Sequence, residues 1–278
     1  MTSDYKEAVK TAEDYYNSAD ADAFYAAIWG GDDIHVGLYE SEGEDIAEAS
    51  ARTVRYMASK LDLKPGTRVI DIGAGYGGAA RYLARETGAH VTCLNLSEKE
   101  NARNLRLTAE QGLEDTVEVV HGVFEDIPFP DNSFDVVWSQ EALLHSGDRM
   151  RVLKEVARVL KPGGDFIFTD PMKTNDIDDT HAYQPIYERI HLPDMVSMGF
   201  YQATLEGLGF DTIEIADLTH QLRNHYARVR EELQSRCHAL KHQISADYAE
   251  RMLNGLKDWV EGADAGQLRW GVLHFRKR

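Results

Sequence analysis

Between positions 68 and 170, short apolar runs alternate with longer stretches in which apolar residues recur every three or four positions. Arg68–Ile72, His90–Asn95, Val117–His121, Phe134–Ser139 and Asp165–Asp170 have the length and near-continuous apolarity of strands buried on both faces. The intervening Gly78–Thr87, Glu98–Gln111 and Arg149–Leu160 carry helical periodicity. Pro65-Gly66 punctuates entry to the first strand, and Lys161-Pro162-Gly163-Gly164 marks a turn before the fifth. Regular alternation of this kind predicts a parallel sheet with helices on both faces.

The flanks follow another rhythm. Helices are expected over Glu7–Ser18, Ala21–Ile28 and Glu44–Lys60, with a turn at Gly30-Gly31. Beyond Asp170 the pattern loosens into an irregular insertion over 171–197. A helix over Phe200–Leu208, a strand over Asp211–Asp217, a mostly polar helical stretch over about 221–260 and an alternating strand over Leu268–Arg276 follow. A chain of 278 residues suits one large domain. Its expected parts are an N-terminal helical lid (1–60), a core (61–170), two lid insertions (171–199 and 218–264) and a closing strand (265–278).

Composition narrows the class. With 47 acidic and 30 basic residues the formal charge is −17, which argues against nucleic acid as a partner. An ordinary acidic enzyme and a surface adapted to high salt both fit that balance. No apolar run approaches the ~20 residues of a membrane span, and the polar start is not a signal peptide. Cys93 and Cys237 form no C-x-x-C pair and are expected as reduced thiols of a cytoplasmic protein. His238 and His242 share a helix face without H-E-x-x-H or a third ligand nearby, so no metal is expected.

Chemistry concentrates at Val69-Ile70-Asp71-Ile72-Gly73-Ala74-Gly75-Tyr76-Gly77-Gly78. Glycines between a buried strand and a helix let the backbone turn sharply and approach a ligand at the helix N-terminus. Gly73, Gly75 and Gly78 also satisfy the dinucleotide spacing. Against that reading, Asp71 precedes the glycines, and the second strand ends in Asn95 rather than a ribose-binding carboxylate. The Asp-x-Gly-x-Gly-x-Gly pattern resembles the first motif of Rossmann-like S-adenosylmethionine-dependent methyltransferases. That resemblance implies an α/β fold with a seven-stranded, mostly parallel sheet, its last strand antiparallel, plus helical lid insertions. It also implies S-adenosylmethionine as cofactor, with Asp71, Gly73, Ala74 and Gly75 at its amino acid end and Asn95 and Leu96 at the ribose. Phe124-Glu125-Asp126-Ile127-Pro128 resembles the adenine-binding segment, although the usual Gly-Asp pair reads Gly122-Val123 here. Polar contacts then shift to Glu125 or to main chain around Phe124, whose ring suits stacking or core packing alike. Gln140 joins the cofactor set.

A more specific likeness spans nearly the whole chain. Tyr15-Tyr16-Asn17-Ser18, Phe24-Tyr25-Ala26-Ala27-Ile28-Trp29-Gly30-Gly31, Trp138-Ser139-Gln140-Glu141-Ala142-Leu143-Leu144-His145, Phe168-Thr169-Asp170-Pro171-Met172 and Arg189-Ile190-His191-Leu192 closely resemble the sarcosine/dimethylglycine N-methyltransferases. These are glycine betaine-forming enzymes of salt-tolerant organisms; a weaker likeness extends to phosphoethanolamine N-methyltransferases. The expected acceptors are therefore sarcosine and dimethylglycine. Another small amine such as phosphoethanolamine, or a catalytically silent cofactor-binding module, is the alternative.

Methylating an amine requires a neutral nitrogen held against the methyl donor with water excluded. His145, just past the fourth strand, is the candidate base or orienter, and Tyr16 the residue that closes the site over it. Arg189, with His191, is the candidate clamp for the acceptor's carboxylate, because a guanidinium offers two parallel hydrogen bonds. Aromatic faces attract methylated ammonium, which nominates Tyr25, Trp29, Tyr39, Trp138 and Tyr201, with Met172 beside them. Helical spacing of Tyr25 and Trp29, and the strand position of Trp138, suit plain core packing as well.

Overall fold

The computed structural model describes residues 3–29, 31–174, 180–188, 190–192 and 194–278. Five strands fall where the alternating pattern puts them: β1 (Arg68–Ile72), β2 (His90–Asn95), β3 (Val117–His121), β4 (Phe134–Gln140) and β5 (Leu160–Lys173). The fifth starts earlier than expected. Leu160 already pairs with Phe134, and a register shift between Phe134 and Val136 absorbs the Pro-Gly-Gly segment inside the strand. With β6 (Phe210–Asp217) and β7 (Leu268–Lys277) they form one sheet in the order β3-β2-β1-β4-β5-β7-β6. Pairs β1–β2, β2–β3, β1–β4 and β4–β5 are parallel, and β7 runs antiparallel to both β5 and β6. This is the α/β methyltransferase architecture the glycine motif implied.

Alternation along each strand sorts side chains to opposite faces. Ile70 and Ile72 go to a core cluster with Val137, Phe166 and Phe168. This face is covered by α6 (Arg149–Val159) and α8 (Met198–Gly207), which contribute Val152, Leu153, Val156 and Leu205. Val69, Val91, Cys93 and Trp138 go to the other face, against α3 (Ile46–Ala58) and α4 (Gly78–Thr87). The helix α5 (Glu98–Glu110) follows β2, its first turn capped by Ser97 Oγ, which accepts from Glu100 N at 3.2 Å.

A third cluster sits over the carboxyl ends of the strands. It joins α1 (Ser3–Tyr16), α2 (Ala19–Ile28), α7 (Thr180–Glu188), α9 (Thr219–Leu240) and α10 (Ala246–Asp264) through Tyr15, Phe24, Tyr183, Tyr226, Leu233, Met252 and Trp259. The polar stretch expected over 221–260 is thus two helices, split where Ser245 caps α10 by accepting from Tyr248 N at 3.3 Å. Part of the expected irregular insertion is the helix α7, which carries Pro185 in its interior. Among the described residues no helix is long and apolar enough to cross a membrane.

Candidate active site

The strand order reverses between β1 and β4, and ligands of doubly wound sheets bind in the crevice at that point. Here the crevice lies under the helical cover, and its empty space, open mouth included, is about 1100 Å3. Gly73 and Gly75 lie on its floor, both with left-handed backbone at φ +81° and +52°. A Cβ at Gly73 would collide with Ala142 at the end of β4, so only glycine permits this close approach of two strand ends.

One end of the cavity is built from β2 and β3. Asn95, Leu96, Ser97, Glu100 and the segment Gly122–Glu125 line it. Asn95 Nδ2 donates to Glu100 Oε2 at 2.9 Å, and Glu125 Oε1 accepts from Ser146 Oγ at 2.7 Å. Burial pushes the Glu100 carboxyl up to about 7, against the hydrogen bond from Asn95. Glu125 is raised for the same reason, opposed by Ser146.

The other end is aromatic. Tyr16 stacks on Tyr25 at 6.0 Å between ring centres, Tyr25 meets Trp29 at 5.0 Å, and Trp29 meets His225 at 5.2 Å. His145 ends a short 3-10 turn, Leu143–His145, and its Nε2 lies 2.8 Å from the Tyr16 hydroxyl. Beside them Glu141 has backbone φ +46°, an unfavourable conformation for a residue with a Cβ. Its carboxylate accepts from Trp270 Nε1 at 2.8 Å and from Val36 N at 3.1 Å. Burial raises the Glu141 carboxyl to about 7 and lowers the neighbouring His35 to about 3, so His35 is neutral.

The strap His35–Tyr39 runs beside the cavity and lends it His35 and Val36. Gly37 N donates to His225 Nδ1 at 3.2 Å. The Gln221 side chain holds Tyr39 at both backbone groups, accepting from its N at 2.9 Å and donating to its O at 3.1 Å. Helix α9 thereby fixes a segment more than 180 positions away in sequence.

The sequence profile of the methyltransferase domain matches residues 70–168. The sarcosine/dimethylglycine N-methyltransferase of Halorhodospira halochloris is 54% identical over 272 residues, covering 98% of this chain and 97% of that protein. The chain belongs to the sarcosine/dimethylglycine N-methyltransferase family. A glycine/sarcosine/dimethylglycine N-methyltransferase of Actinopolyspora halophila is 55% identical over 98% of the chain, which spans about half (48%) of that longer protein. The crystal structure of a candidate sarcosine dimethylglycine methyltransferase from Galdieria sulphuraria superposes with TM-score 0.89 at 43% identity, over 95% of this chain and 98% of that one.

Within this family fold, Tyr16, Tyr25, Trp29, Gly73, Gly75, Asn95, Leu96, Phe124, Glu125, Gln140 and His145 all line the one cavity. Others of the expected residues do not. Trp138 and Met172 are fully buried in the two sheet cores. Alternation gives the wall to Pro171 rather than Met172, whereas Gln140 shares the face of Trp138 and reaches the wall because it lies two residues nearer the carboxyl end of β4. Tyr201 is a core residue whose hydroxyl donates to Asp170 Oδ2 at 2.7 Å. Tyr39 stands behind the wall, its hydroxyl 2.9 Å from His225 Nδ1. Asp71 and Ala74 are buried beneath the glycine turn, and His191 is exposed with its ring 6.2 Å from Tyr15. Arg189 lies outside the described residues, as does Gly30.

Sequence reasoning missed Glu100, Glu141, His35 and His225. Glu100 carries a legible signal, the capping-box spacing Ser97-Glu98-Lys99-Glu100 after a strand, which places an acid at the first turn beside the strand end. Glu141 is adjacent to Gln140 in the strand-end motif. His35 and His225 have no local pattern, because contacts from distant segments bring them in.

Proposed function

We propose that this protein transfers methyl groups from S-adenosylmethionine to sarcosine and dimethylglycine, giving dimethylglycine and glycine betaine. The observation that carries the reading is the Tyr16–His145 contact at the aromatic end of a cavity floored by the glycine turn. The lining suits the cofactor: close backbone approach at Gly73, a half-buried ring at Phe124, polar groups at Asn95 and Glu100, and acids that favour a cationic ligand. When bound, S-adenosylmethionine supplies a methyl group on a sulfonium, open to displacement by a neutral amine.

The chain's own task is to deliver that amine. Its nitrogen has a basicity near that of a lysine and arrives mostly protonated at pH 7. In the proposed sequence the ammonium N–H passes its proton to the Tyr16 oxygen as the Tyr16 O–H proton moves to His145 Nε2, leaving a neutral amine and an imidazolium. Tyr25 and Trp29 offer ring faces to the methylated nitrogen as its positive charge becomes permanent. Arg189, next to the wall residue Ile190, is proposed to grip the acceptor's carboxylate.

Methyl transfer assayed with glycine, sarcosine, dimethylglycine and phosphoethanolamine tests the reading. Turnover of sarcosine and dimethylglycine is expected; turnover of phosphoethanolamine alone, or of none, overturns it. Arg189→Lys keeps the charge but loses the paired geometry, so KM for dimethylglycine should rise about tenfold with cofactor affinity unchanged. A parental KM would place the carboxylate on another group.

A further inference from the structure

Trp138 is wholly buried in the core, yet its indole touches a residue of the cavity wall. Its Nε1 donates to Gln140 Oε1 at 3.0 Å. The two residues are two apart on β4 and so project from the same face of the sheet. An indole nitrogen can only donate, so the atom it meets must be the amide oxygen, and this fixes which way round the amide sits. The NH2 group is thereby the half left for other partners. Gln140 is 3% exposed and lines the cavity, and its Nε2 has no hydrogen-bond partner among the described residues. A buried donor in this condition is costly, and a bound acceptor removes the cost.

The acceptor's charge follows from the surroundings. Among the described residues of the wall there is no lysine or arginine, while Glu13, Glu100, Glu125 and Glu141 all contribute carboxyls. An anionic ligand group in this cavity therefore has few places to go, and a neutral amide donor at a strand end is one. We propose that Gln140 Nε2 is a carboxylate-binding donor of the cavity, and that Trp138 is the positioning residue that keeps it turned toward the ligand. Resting on the function proposed above, two ligands bring that group: the amino acid end of the cofactor and the amino acid acceptor.

Calorimetry on the full chain separates them with three probes: S-adenosylhomocysteine, 5′-methylthioadenosine, which lacks the amino acid end, and dimethylglycine added to protein saturated with S-adenosylhomocysteine. Gln140→Glu keeps an oxygen for Trp138 and replaces the donor with an acceptor. It should weaken S-adenosylhomocysteine or dimethylglycine at least tenfold while 5′-methylthioadenosine binds as before, and the probe that weakens names the carboxylate's owner. Trp138→Phe should weaken the same probe three- to tenfold, and should add nothing in a Gln140→Leu background. Unchanged binding of both carboxylate probes to Gln140→Glu would overturn the proposal. So would an equal loss of 5′-methylthioadenosine binding in Trp138→Phe, since that is the mark of packing alone. Should the parent fail to methylate sarcosine, the proposed reaction falls while the S-adenosylhomocysteine arm still tests Gln140.

Discussion

Tyr16 and His145 stand 129 positions apart and meet at 2.8 Å, and a proton passed through such a pair leaves its mark on a pH profile. His145→Ala should lower kcat about a hundredfold or more and flatten the acid limb of kcat/KM, with S-adenosylhomocysteine affinity unchanged. Tyr16→Phe should reproduce the flattening. A profile of parental shape and reduced height would make His145 an orienter, and no change in either would make it structural. The place of His145 at the cavity was legible because it follows the end of an identifiable strand. Trp138, Met172 and Tyr201 lie in the cores instead: large apolar side chains suit core and wall alike, a single residue of register gives the wall to Pro171 rather than Met172, and Tyr201 on α8 turns toward the sheet. Gln140 shares the face of Trp138 and reaches the wall because it stands two residues nearer the carboxyl end of β4.

At the scale of elements, the strap His35–Tyr39 is held over the cavity by α9, chiefly through the Gln221 amide, which bonds both backbone groups of Tyr39 as a neighbouring strand would. Gln221→Ala leaves a buried N–H and C=O unpaired, at a cost of about 2 kcal/mol. We expect a lower Tm, and also weaker S-adenosylhomocysteine binding, because Ile34, His35 and Val36 of the same segment line the cavity. A lower Tm with parental affinity would show that Glu141 and His225 hold the strap without Gln221. None of this strap is readable locally, since it has neither helical nor strand period and its partners lie on distant elements. Apart from the longer β5, the central strands and helices were by contrast legible almost to the residue, because a parallel sheet buries each strand on both faces and writes it as an apolar run. The helix α7 escaped because Pro185 inside it reads as a breaker.

Over the whole molecule, burial lifts several carboxyls together, among them Asp33 to about 6, Glu100, Glu141 and Asp170 to about 7, and Asp71 to about 8. Unfolded, these groups titrate near 4. Between those limits the folded state binds more protons than the unfolded one, so stability falls as pH rises, and the loss is complete only above the folded values. His35, lowered to about 3, works the other way, but only below about 6.5, where its unfolded ring becomes protonated. From pH 6.5 to 8.5 the carboxyls therefore act without that opposition, with Asp71 carrying the upper end, and the Cys93 thiol, pushed up to about 12, extends the decline. Each proton of difference is worth about 1.4 kcal/mol per pH unit, or roughly 2–4 °C for each kcal/mol in a domain of this size. Scanning calorimetry without cofactor should thus give a Tm several degrees lower at pH 8.5 than at 6.5, and Asp71→Asn should flatten the slope above pH 7. Activity pulls the opposite way, since kcat/KM should climb over the same interval as the acceptor amine sheds its proton. A Tm that held steady or rose across the interval, or a slope unchanged in Asp71→Asn, would mean that these carboxyls are already ionised in the folded protein, and that Asp71 is a buried charge with a partner rather than a buried acid.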